Sequence, residues 1–79
     1  MLNEIEAKIT EIFSRVVDVP LDSVSISMTP SDVENWDSMK HIMLLLAVES
    51  DFELKFSYLE MVSIGTLAEL IDLVESKSV

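Results

Sequence analysis

Asp37, Ser38 and His41 fall within one short stretch and carry a carboxylate, a hydroxyl and an imidazole in that order. The apolar run Ile42 to Val48 follows directly, so Ser38 stands at the start of a helix. A hydroxyl there sits at the positive end of the helix dipole, where a phosphate group is stabilised. Its plainest role is that of an N-cap, and the same holds for Asp37. Ser38 and His41 are three positions apart and share a helix face, which raises a Ser-His-Asp hydrolase. That chemistry fails on geometry. Asp37 and His41 would have to converge on one ring from a single turn, and no glycine-rich turn offers an oxyanion hole. His41 is therefore expected as a surface imidazole, near a phosphate when protonated. With one histidine, no cysteine and no D-x-[DN]-x-[DN]-G loop, no metal site is expected.

The chain that must position these residues has 79 residues, enough for one domain over 1–79. Its 49% apolar content argues for a folded globule despite a formal net charge of −10. The absence of cysteine leaves no disulfide framework and suits a cytoplasmic location. Glu4, Glu6 and Lys8 exclude a secretory signal peptide, and Ile42 to Val48 is too short to span a bilayer. Fifteen acidic residues against five basic ones repel nucleic acid and anionic membranes, and attract basic protein surfaces.

Periodicity predicts an all-α fold, a small four-helix bundle of three main helices and one short one. The first helix spans about Leu2 to Val17, with Ile5, Ile9, Ile12, Phe13 and Val16 as its stripe and Asn3 with Glu6 as a capping pattern. Asp18 and Pro20 mark its exit. A long loop over 18–37 follows, pinned to the core by Val24, Ile26 and Met28. The second helix spans Ser38 to about Ser50, ended by Asp51. Met39, Ile42, Leu45, Leu46 and Phe52 form one broad face, with Met43 and Leu44 widening it. Phe52 to Phe56 alternates as an extended connector. Ser57 with Glu60 opens a short third helix to about Met61, and Thr66 with Glu69 marks the start of the last. There Leu67, Leu70, Ile71 and Val74 form the buried stripe. Gly65 either relaxes that first turn or marks a tight approach. Trp36 is expected to anchor the loop over the start of the second helix while its N–H stays in water. Met43 is expected partly exposed, whereas periodicity leaves Ile42 and Leu46 as either core or partly exposed.

Laid end to end, these elements resemble the acyl carrier protein family. The residues that carry the resemblance are Asp37, Ser38, Met39, Ile42, Leu46, Glu49 and Phe52, in the pattern D-S-[LM]-x-x-[VI]-x-x-x-[LM]-x-x-E-x-x-F. Ser63-Ile64-Gly65-Thr66-Leu67 resembles the family's entry to its last helix. The departures are Asn35 where the family often has glycine (asparagine also reaches positive φ), Trp36 where a small residue is common, and Lys40, His41 and Met43. They point toward a specialised stand-alone carrier or a polyketide or nonribosomal carrier domain.

The resemblance implies a carrier and not an enzyme. Ser38 would hold a covalent 4′-phosphopantetheine arm derived from coenzyme A, and Asp37 would be read by the phosphopantetheinyl transferase. Acyl intermediates would travel on the arm as thioesters. Met39, Ile42, Met43, Leu46 and Glu49 would form the partner face, with Glu49 pairing to basic side chains. The implied partners are the transferase, an acyl-loading ligase or acyltransferase, and downstream synthase enzymes with basic docking surfaces. A monomer is expected. An aminoacyl or peptidyl carrier is the alternative within the class, and a small acidic helical adaptor without a cofactor is the alternative outside it.

Overall fold

A computed structural model describes residues 4–77, and among them the chain forms four α-helices and no strand. They are α1 (Glu4–Val17), α2 (Ser38–Phe52), α3 (Tyr58–Ser63) and α4 (Leu67–Lys77), with one 3₁₀ turn at Leu21–Ser23 between α1 and α2. The expected start of the first helix at Leu2, and the Asn3 capping pattern, lie outside the described residues. Among the described residues no helix is long and apolar enough to cross a membrane.

The amphipathic helices behave as their spacing predicts. Ile9, Ile12, Phe13 and Val17 of α1 are buried, with Ile5 and Val16 packed at the margin. Leu67, Leu70, Ile71 and Val74 of α4 are buried against them. Thr66 and Glu69 close a reciprocal cap at its start: Glu69 N–H donates to Thr66 Oγ1 at 3.1 Å and Thr66 N–H to Glu69 Oε1 at 3.0 Å. Gly65 N–H donates to the same carboxylate oxygen at 2.6 Å, and a Cβ on Gly65 would stand 3.1 Å from it. The tight approach at Gly65 is thus to its own helix cap rather than to another helix.

α1 ends at Val17, where Asp18 and Pro20 mark its exit, and both α1 and α2 close through a reversal of backbone hand. Asp18 and Glu53 adopt left-handed backbone, with φ of 61° and 54°. Val19 N–H then donates to Ser14 C=O, and Leu54 N–H to Glu49 C=O. These are Schellman closures with an acid where glycine is usual, each followed by an apolar residue packed on the core. Asp51 therefore does not end α2, which continues to Phe52 until the backbone reverses hand at Glu53. Asn35 is not at positive φ.

The long loop is held by backbone as well as by side chains. Val24 and Met28 pack on the core and Val33 and Trp36 are buried, but Ile26 is exposed. What Ile26 supplies instead is its carbonyl, which accepts from Ala68 N–H at 2.7 Å, while Met28 C=O accepts from Leu67 N–H at 3.3 Å. Two otherwise unpartnered donors in the first turn of α4 are thereby satisfied by the loop.

In α2 the structure resolves the orientation that periodicity left open for Ile42 and Leu46. Leu44, Leu45 and Val48 are buried, together with the carboxylate-bearing Glu49, while Met39, Ile42, Met43 and Leu46 face outward. The helix is apolar nearly all round, so periodicity could not orient it. Its two inward polar residues, His41 and Glu49, each find a hydrogen-bond partner on the core side, which suits this orientation.

Candidate functional site

Asp37 caps α2. Its backbone is extended (φ −96°, ψ −174°) and its Oδ1 accepts from Lys40 N–H at 2.9 Å. The carbonyl of Asp37 accepts the first intrahelical bond, from His41 N–H. Ser38 is therefore the first helical residue and not the cap, contrary to its simplest expected role. Its side chain is exposed, and among the described residues its hydroxyl makes no hydrogen bond. Asp37 relieves Ser38 of structural duty and leaves its Oγ available to chemistry.

Beside Ser38 lies an open groove of about 640 Å³. One wall comes from Pro30, Trp36, Asp37, Ser38, His41 and Ile42; the other from Tyr58 and Val62 of α3 with Ile64 behind them. A smaller concavity of about 320 Å³ between α3 and α4 does not include Ser38.

Trp36 and His41 form the floor where α2 begins. Trp36 is 2% exposed and meets Phe13 edge to face, with ring centroids 4.9 Å apart. Its indole N–H does not stay in water, as expected from sequence, but donates to His41 Nδ1 at 3.1 Å. Indole nitrogen only donates, so Nδ1 must be the accepting nitrogen and Nε2 carries the proton. Nε2–H in turn donates to the carbonyl of Met61 in α3 at 2.9 Å. His41 is thus a half-buried link rather than a surface imidazole. With both nitrogens engaged it cannot serve as a base for Ser38, and Asp37 is occupied at Lys40 N–H; the hydrolase geometry does not form.

The expected partner residues divide. Met39 is 72% exposed, Leu46 53%, and Ile42 and Met43 each 46%, so these four share the outward face of α2. Glu49 does not join them. It is buried, and its Oε2 accepts from the buried Phe56 N–H at 2.8 Å. An acid on this helix is turned inward because the chain after Glu53 brings an unpaired amide beneath it. The Trp36–His41–Met61 link and the α3 wall of the groove are what sequence reasoning missed; His41 and Met61 are twenty positions apart, and no local pattern joins them.

No protein-family model matches the chain. A search of curated proteins finds the acyl carrier protein of Buchnera aphidicola subsp. Schizaphis graminum (strain Sg), 23% identical over 77 residues and covering 98% of each chain. The similarity extends over nearly the whole chain.

Proposed function

We propose that this chain, similar to acyl carrier proteins over nearly its whole length, is a carrier that holds acyl groups on a 4′-phosphopantetheine arm attached at Ser38. The observation that carries the proposal is the placement of Ser38: exposed, uncommitted, at the first position of α2 and at the edge of a mostly apolar groove. The residues present fit such a group. A phosphodiester on Ser38 Oγ would lie against the positive end of α2, where the backbone N–H groups of the first turn face outward. The groove walls, Ile42, Tyr58, Val62 and Ile64, offer apolar surface to whatever hangs from the serine.

When bound, the arm supplies a thiol, absent from the protein itself, on which acyl groups are carried as thioesters. The protein's residues do the rest. Asp37 fixes the start of α2 and flanks the serine for recognition by the transferase. Met39, Ile42, Met43 and Leu46 present an apolar strip that, within a chain of net charge −10, suits the basic, partly apolar surface of a loading enzyme or downstream synthase. Glu49 has no part in that surface. The work is done in one domain, as a monomer in the cytoplasm, and the catalysis belongs to the partners.

Transfer of a fluorescent coenzyme A analogue by a broad-specificity phosphopantetheinyl transferase tests the proposal. The wild-type protein should be labelled and Ser38→Ala should not. Labelling retained in Ser38→Ala would move the site elsewhere, and no labelling of the folded wild type by several transferases would favour the adaptor.

A further inference from the structure

The helix that forms the far wall of the groove is weakly held. Among the residues of α3 none is fully buried; Tyr58, Leu59 and Val62 are exposed, and only Met61 packs partly on the core. Six residues are too few for a helix to persist on its own propensity. The segment is pinned at its two flanks, where Phe56 is buried with its N–H on Glu49, and where Ile64 is buried after the helix ends. Between those pins, two ties among the described residues reach other elements: the Lys77–Glu60 ion pair at 3.0 Å, which is partly solvated, and the bond from His41 Nε2–H to Met61 C=O. The Met61 carbonyl is one of the last four of α3 and has no partner within the helix, so His41 satisfies the helix's C-terminal end.

We infer that His41 is a positioning residue, a latch whose Nε2–H holds α3 against the start of α2 and so fixes the separation of the groove walls beside Ser38. Trp36 sets the latch. By donating to Nδ1, the buried indole forces the proton onto Nε2 and aims it at Met61. With the latch in place, Tyr58 and Val62 stand across the groove from Ser38; without it, α3 is free to swing about its flanks and the groove widens. The consequence for an arm on Ser38 rests on the carrier proposal, but the latch itself is a property of the unmodified protein.

The test separates the two bonds of the imidazole. Asparagine at position 41 places a carbonyl oxygen near the Nδ1 position and offers nothing to Met61. Glutamine places an amide N–H near the Nε2 position and can replace the bond to α3. Phenylalanine keeps the ring and neither bond. Amide hydrogen exchange of the unmodified protein, followed by NMR, should show Met61, Val62 and Ser63 exchanging about tenfold faster in His41→Asn and His41→Phe, the fold-change of losing one hydrogen bond. In His41→Gln these amides should stay close to wild type, and α1 and α4 should keep their protection in all three. Unchanged α3 exchange in His41→Asn and His41→Phe would overturn the inference. So would equal losses in α1, α3 and α4 in every variant, glutamine included, since that describes a packing residue. If His41→Phe does not fold, the asparagine–glutamine pair decides alone. Because no step needs coenzyme A, failure of the latch and failure of Ser38 modification are read independently.

Discussion

Glu49 separates the structural account from an expectation based on family resemblance, because one makes it an internal acceptor and the other a docking charge. Its Oε2 lies 2.8 Å from the buried Phe56 nitrogen. Glu49→Ala strips that amide of its partner in a place water does not reach, at a cost of about 1–3 kcal/mol. Alanine's better helix propensity returns a few tenths of a kcal/mol, and removing one charge from a chain of net charge −10 relieves some self-repulsion. Glu49→Gln removes the same charge yet keeps an acceptor oxygen, so the difference between the two variants isolates the hydrogen bond. For a domain of this size that difference should be a midpoint about 5–15 °C lower for the alanine variant, taking about 1–2 kcal/mol net. Thermal unfolding followed by circular dichroism at fixed salt measures it. Equal midpoints for Glu49→Ala and Glu49→Gln would refute the internal-acceptor role and return Glu49 to the outer face of α2.

Two further predictions follow from the caps. Asp37→Ala should destabilise the protein by about 1 kcal/mol, whereas Ser38→Ala should leave the unfolding midpoint nearly unchanged, because the cap bond belongs to Asp37; a larger loss in Ser38→Ala, measured by urea unfolding, would contradict that division. Glu60 is held below the ordinary glutamate value of 4.5, first by the Ser57 N–H and then by Lys77. A carboxyl depressed in the folded state stabilises α3 above that value and loses its contribution as pH falls through the folded value. The Glu60 side-chain carbon should therefore titrate by NMR with a midpoint below 4.5, and a midpoint at or above it would contradict the capping geometry.

How much of this was legible in the sequence differs by element, for physical reasons. The stripes of α1 and α4 could be read because charged residues break the apolar positions at helical spacing. The capping boxes at Ser57 and Thr66 could be read because both partners lie three positions apart. In α2 the apolar residues surround the helix, so periodicity left Ile42 and Leu46 open between core and surface, and only the structure runs the core stripe through Leu44, Leu45 and Val48. The end of α1 at Val17 was legible from Asp18 and Pro20, whereas the end of α2 was hidden because an acid, Glu53, occupies the left-handed position that glycine usually signals. Which of two adjacent capping residues, Asp37 or Ser38, closes α2 is settled only by backbone angles. Of the site, Ser38 and its setting were visible; the groove was not, because its far wall is α3 and the tie that holds it spans twenty positions.

The claim that Ser38 carries the arm is tested most directly by intact-protein mass after incubation with coenzyme A, magnesium and a phosphopantetheinyl transferase, followed by fragmentation to locate the addition. The account predicts a gain of one phosphopantetheine unit on the peptide that contains Ser38 and none in Ser38→Ala. A folded wild-type protein that gains no mass with several transferases, or gains it on another residue, would contradict it.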